Sequence, residues 1–121
     1  MTILKSNIKP DSSEFFLNKK KIDLDLKLIL KAVDHALDGG GDKLKDRHKK
    51  RGKMLPRDRV SKLLDPGSYF LEIGLNAGYN MYNNACPSGG IITGIGQIHG
   101  IEVMIICNDS TVKGGTYYPI T

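Results

Sequence analysis

Downstream of Asp11 the apolar positions follow the period of a helix. Ile22, Leu26, Ile29, Leu30, Val33 and Leu37 recur at spacings of three and four and draw one apolar stripe. Lys19, Lys20, Asp23, Lys27, Lys31 and Asp34 fall to the other side. Asp11-Ser12-Ser13-Glu14 supplies short capping side chains and an early acid that favours the helix dipole. Gly39-Gly40-Gly41 ends the periodicity, because glycine readily takes the left-handed geometry past a last turn. Residues 1–38 therefore read as an N-terminal amphipathic helix, distinct in character from residues 39–121.

Asp42 to Arg51 predicts a second, short helix whose only large apolar residue is Leu44. Such a helix cannot be held by burial and is expected to be exposed or docked through charge. Gly52 is a stop, and Pro56 suits the first turn of a third helix with Val60, Leu63 and Leu64 turned inward. Asp65-Pro66-Gly67-Ser68 is a turn. The period then changes. Tyr69–Ile73 reads as a strand, followed by a loop rich in Gly, Asn and Tyr through Gly90. Ile91–Ile98 and Ile101–Cys107 are strands flanking His99-Gly100, a two-residue hairpin turn. These strands need cover on at least one face, and the first helix is the strongly amphipathic element available. Helices first and strands after imply an α/β class, as an α+β unit or the opening of a larger α/β domain. The chain stops after a strand and a Gly-rich loop, where a helix is expected, so an N-terminal piece is the expectation.

Composition narrows the class. A chain of 121 residues with 40% hydrophobic and 26% charged residues matches one globular domain rather than a disordered or membrane segment. The densest apolar run, Ile101–Cys107, is interrupted by Glu102 and far too short to span a bilayer. Met1–Pro10 has no apolar stretch of the secretory kind and no Arg, and Asp11 and Glu14 come soon after, so a cytoplasmic location is expected. Cys86 and Cys107 lack metal or redox spacing and read as small buried side chains. His35, His48 and His99 are scattered, so neither a metal site nor a catalytic cluster is expected. Charge is uneven: Lys43 to Lys62 holds ten Lys or Arg against two Asp, an excess of eight, in a chain of net charge +5. One basic patch dominates the electrostatics.

Three motifs invite chemistry. Gly94, Gly96 and Gly100 have the wrong spacing for a dinucleotide fingerprint and lead into a hairpin, so they read as strand glycines. Lys113-Gly114-Gly115 is not a Walker loop, but it could set an ammonium and backbone N–H groups beside a phosphate, or be a plain turn. The basic 43–62 stretch is compatible with nucleic acid, with a coenzyme A phosphate, with a subunit contact, or with a solvated face. It lacks interleaved aromatics and a recognition helix, which disfavours a nucleic-acid-binding module.

The order of specific segments reaches further. Gly39-Gly40-Gly41-Asp42-Lys43, Arg51-Gly52-Lys53-Met54-Leu55-Pro56-Arg57-Asp58-Arg59-Val60 and Leu63-Leu64-Asp65-Pro66-Gly67-Ser68 resemble the entry to carboxyltransferase (β) subunits of biotin-dependent acyl-CoA carboxylases. Gly89–Gly96 and Asn108–Pro119 resemble the methylcrotonyl-CoA carboxylase branch, with Ser110 and Cys86-Pro87-Ser88 as small departures. The resemblance implies the first strands of a crotonase-like N-domain over 39–121, left incomplete. It implies a subunit that transfers carboxyl from carboxybiotin to 3-methylcrotonyl-CoA in leucine catabolism, or to geranyl-CoA or another acyl-CoA. Backbone N–H groups would stabilise the enolate and the biotin ureido oxygen. Those elements and the biotin site are expected beyond Thr121, so no catalytic residue is expected here and the chain alone should be inactive. The implied partners are a biotin carboxylase/biotin carrier α subunit, further β subunits in a homo-oligomer, and the acyl-CoA; biotin would ride on the α subunit. Arg51, Lys53, Arg57, Arg59, Lys113, Gly114 and Gly115 are the expected neighbours of the CoA nucleotide end, whose phosphates suit Arg forks and glycine N–H groups.

Overall fold

A computed structural model describes residues 6–121, in which three α-helices precede a three-stranded antiparallel sheet. The chain divides into two compact units, Met1–Lys31 and Ala32–Thr121.

The first unit carries most of α1 (Ser13–Asp38). Ser12 caps it: its Oγ accepts the Phe15 N–H at 3.2 Å and its carbonyl accepts the Phe16 N–H. Phe15 and Phe16 meet edge to face. The apolar stripe is present as helix spacing but not as buried surface, since Ile22, Leu26, Ile29 and Leu30 are all exposed. So are Leu17, Leu24 and Leu28 on a second apolar line.

In the second unit the last turns of α1 bury only Ala32 and Ala36, small residues that let the helix end sit close to the 75–79 and 87–88 loops. α2 (Asp42–Lys50) buries nothing, as its composition requires. α3 (Pro56–Leu63) starts on its proline and buries Pro56 and Val60. The strands are β1 (Leu71–Ile73), β2 (Ile91–Ile98) and β3 (Ile101–Asn108), in the order β1-β2-β3. β1 is shorter than the predicted Tyr69–Ile73, because Phe70 turns into the core instead of pairing.

Register is set by the hairpin. His99 and Gly100 both have positive φ, 53° and 76°, the pair of conformations a type I′ turn needs, and Ile98 faces Ile101 across it. Gly94 then faces Ile105, and Ile92 faces Cys107. The inner face so formed carries Ile92 and Ile105, and Val60 of α3 closes the core with Leu64, Phe70, Ile98 and Val103 around it. Within this unit the cover for the strands is α3 and Phe70. Leu63, expected inward, is 53% exposed; one helical step separates it from Leu64, which packs on the core with its Cδ2 against Gly96.

Gly94 and Gly96 have a packing role. A Cβ on Gly94 would collide with the Phe70 ring and the Leu71 carbonyl, and one on Gly96 with Leu64 Cδ2. Two bare backbone positions are the sockets into which the covering side chains fit.

Candidate functional site

The seven residues expected at a coenzyme stand in three settings. Arg51 closes α2, its N–H bonded to the His48 carbonyl at 3.2 Å, and it lines a shallow groove with Lys43, Asp46, Arg47 and Lys50. Lys53 comes next, in the exposed connection to α3. α2 is tied down by side chains rather than burial. Lys45 binds Asp38 and lies 3.5 Å from Asp42, and His48 Nε2 meets the Met54 carbonyl at 3.1 Å. The hydrogen bond that Lys45 donates to Asp38 pushes the Lys45 pKa upward. Lys43, Arg47, Lys50 and Arg51 form no ion pair among the described residues.

Arg57 is in a different state. Its Nη1 and Nη2 donate to Glu72 Oε2 and Oε1 at 2.8 and 2.9 Å, and Nη2 also reaches the Ala36 carbonyl at 3.4 Å. The guanidinium is a structural fork joining α3, β1 and the end of α1, with only its buried Nε left unpaired. Arg59, two residues on, is exposed beside a groove that Met54, Lys62, Leu63, Ile106 and Cys107 also line. Burial raises the Cys107 thiol pKa, and the charge of Arg59 opposes that rise.

Lys113 and its glycines occupy the third setting. Lys113 holds φ 46°, donates Nζ to the Tyr117 carbonyl at 3.2 Å and stands 4.3 Å above the Tyr118 ring. Tyr118 in turn packs on Tyr82 at 4.6 Å between centroids and donates to the Ala85 carbonyl. The Gly115 N–H is spent on the Val112 carbonyl at 2.8 Å. The loop is therefore ordered by its own contacts, with Lys113 and Gly114 exposed.

Other polar contacts were invisible in the chain order. Thr111 Oγ1 accepts the Gly40 N–H at 3.0 Å and donates to buried Asp109, clamping the glycine run against the loop after β3. Asp65 accepts the His99 and Gly100 N–H groups at 2.7 Å each. Those two bonds, Gly100 first, hold its carboxyl below the ordinary value. Asp in a turn motif was the available signal in both cases, but its partners lie tens of residues away. Cys86 is fully buried, and desolvation raises its thiol pKa, which fits packing rather than nucleophilic chemistry. Among the described residues no group of three His, Cys, Asp or Glu side chains could hold a metal, and no helix is long and apolar enough to cross a membrane.

The helix-then-antiparallel-strand arrangement is the opening of a crotonase-like carboxyltransferase fold. It superposes on the β subunit of Pseudomonas aeruginosa geranyl-CoA carboxylase with a TM-score of 0.82, at 32% identity, covering 97% of this chain and 22% of that one. Residues 47–121 match the carboxyl transferase domain, and the chain belongs to that family. It is 47% identical over 119 residues to the mitochondrial methylcrotonoyl-CoA carboxylase β chain of Arabidopsis thaliana, covering 98% of this chain and 20% of the relative. It is 55% identical over 83 residues to the biotin-dependent 3-methylcrotonyl-coenzyme A carboxylase β1 subunit of Mycobacterium tuberculosis, covering 69% of this chain and 16% of the relative. The chain thus spans about one fifth of the length of the relatives it matches.

Proposed function

We propose that this chain supplies the N-terminal part of a carboxyltransferase subunit that moves carboxyl from carboxybiotin to 3-methylcrotonyl-CoA, a step of leucine breakdown. The observation that carries the reading is the near-full coverage of the chain, at almost half identity, by a methylcrotonoyl-CoA carboxylase β chain. Biotin arrives on an α-type partner subunit, and the working enzyme contains several β subunits. The segment has no catalytic group of its own in this reading. It frames the acyl-CoA site, and by itself it is inactive.

Arg51, Lys53, Arg59 and the Lys113-Gly114 turn are the parts offered to the CoA phosphates, since their charges or backbone groups are exposed. Arg57 contributes by holding α3 on β1, because its fork is already occupied by Glu72. Geranyl-CoA is the second reading, favoured by the structural likeness to the geranyl enzyme.

The test is a chimera in which this chain replaces the matching stretch of the M. tuberculosis β1 subunit, assayed with its α subunit for bicarbonate fixation. Carboxylation of 3-methylcrotonyl-CoA in preference to geranyl-CoA is expected, with no turnover by the 121-residue chain alone. An assembled chimera that carboxylates neither acyl-CoA overturns the proposal; one that prefers geranyl-CoA replaces it with the second reading.

A further inference from the structure

The Gly39-Gly40-Gly41 run does more than end α1. A Cβ on Gly40 would collide with the Thr111 carbonyl, and one on Gly39 would lie 2.7 Å from Asp109 Oδ2. Bare backbone is what lets the α1–α2 link come this close to the loop after β3. Thr111 uses the approach. Its Oγ1 accepts the Gly40 N–H at 3.0 Å and donates to Asp109 Oδ1, which also accepts the Thr111 N–H at 2.8 Å. Asp109 is itself anchored, its N–H bonded to the Gly90 carbonyl at 2.9 Å just before β2. Thr111 and Asp109 are 4% and 7% exposed, so the clamp is buried and acts on a ligand only through other residues.

The two sides of the clamp lead to the two sets of groups offered to the coenzyme. On one side, Asp109 and Thr111 begin a series of tight turns. The Val112 N–H bonds to the Asp109 carbonyl at 3.0 Å, the Val112 carbonyl accepts the Gly115 N–H at 2.8 Å, and the Val112 side chain is buried. Between those two bonds Lys113 is held at φ 46°, a left-handed conformation that a long side chain keeps only where its surroundings impose it. On the other side, the Gly41 carbonyl accepts the N–H groups of Leu44 and Lys45 and so starts α2, which runs to the Arg51 cap with Lys53 beyond. α2 buries no residue, and among the described residues its side-chain hydrogen bonds and ion pairs reach no further than Asp38 and Met54. The bond from Gly40, one residue before the start of α2, joins this link to the loop that carries Lys113.

We infer that Thr111, held by Asp109, is a positioning residue for the coenzyme: it sets the Lys113 turn and the base of α2 in one frame, so that Lys113 and the Arg51–Lys53 stretch meet the same phosphate-bearing group. The inference rests on the coenzyme reading proposed above. Thr111 makes no contact with the coenzyme in it. Its hydroxyl serves as acceptor to one set and, through Asp109, as tether for the other.

The experiment uses the chimera assembled with its α subunit and the acyl-CoA that it carboxylates. Thr111→Val keeps the shape and deletes the hydroxyl; it should raise KM about fivefold with kcat little changed, and Thr111→Ser should restore KM. The factor should shrink when Thr111→Val is added to Lys113→Ala, because part of what the hydroxyl positions is then missing. Asp109→Asn keeps an acceptor but holds the hydroxyl less firmly, so it should raise KM roughly two- to threefold; it gives the reading where the valine variant does not assemble. An unchanged KM in these variants, with KM raised in Lys113→Ala, overturns the inference and leaves the coenzyme reading standing. So does the same factor for Thr111→Val in both backgrounds, or a fall in kcat at constant KM. An unchanged KM in Lys113→Ala removes that turn from the coenzyme reading and the inference with it.

Discussion

Arg57 and Glu72 face each other across two parallel hydrogen bonds of 2.8 and 2.9 Å, and this fork fastens α3 to β1. They stand fifteen positions apart in the chain, with the rest of α3, a turn and the first residue of β1 between them. Their side chains are 27% and 14% exposed, so the pair sits largely out of water without being sealed from it. Breaking one partner leaves the other charge poorly solvated. Glu72→Gln should lower unfolding stability by about 1–3 kcal/mol, with Arg57→Lys costing less because one ammonium cannot serve both oxygens but keeps the charge. Urea unfolding of the single and double variants measures it; additive losses would mean that the fork contributes nothing as a pair.

The sockets at Gly94 and Gly96 should respond unequally to a methyl group. At Gly96 the obstacle is the end of the Leu64 side chain, which can rotate, whereas at Gly94 it includes the Leu71 carbonyl, which cannot. Gly94→Ala should cost roughly 2–3 kcal/mol and Gly96→Ala about 1 kcal/mol or less. Thermal unfolding in parallel distinguishes them, and equal losses would show that the backbone carbonyl is not the limiting contact.

Asp65 predicts an acid limb in the stability curve. Its folded carboxyl lies below the ordinary 3.8 because the ionised form accepts two backbone N–H groups. Folding therefore favours the deprotonated state. The stabilisation is complete above the unfolded pKa and is lost as pH falls through the lower folded value. The stability gap between wild type and Asp65→Asn should be flat at neutral pH and narrow below the ordinary carboxylate pKa. A gap that stays constant into strong acid would remove Asp65 from the hairpin's support.

Thr111→Val should open the contact between the glycine run and the loop after β3. The substitution keeps shape but deletes the acceptor for Gly40 N–H and the donor to Asp109, both at buried or half-buried sites. A loss of about 1–3 kcal/mol is expected. Amide exchange of Gly40 reads the local effect and should quicken before global unfolding; unchanged Gly40 exchange would mean that another group protects it.

Lys113→Ala tests the coenzyme reading in the assembled chimera. Losing one charge-assisted phosphate contact should raise KM for acyl-CoA roughly tenfold with kcat little changed. Tyr118→Phe keeps the ring beneath the Lys113 ammonium and should leave KM for acyl-CoA like wild type. An unaltered KM in Lys113→Ala would take this turn out of the site.

Local chemistry carried much of the architecture in the chain order alone. Ser12 as a cap, Pro56 at a first turn, Gly52 past α2 and His99-Gly100 between two β-branched runs each act within a few residues, and each sits where its own bonding demands. The ordered motifs from Gly39 onward likewise marked the family, which residues 47–121 bear out. Tertiary structure decided what no spacing encodes. Periodicity placed Val60 and Leu64 on an inward face of α3, but not that Phe70 would leave the line of β1 to cover the strands with them. Charge placed Arg57 among the candidate phosphate ligands, and no spacing showed that the fold of β1 would bring Glu72 alongside its guanidinium. The reason is range. Caps, turns and helix period are settled by neighbours along the chain, whereas a side chain's partner depends on which distant element folds against it.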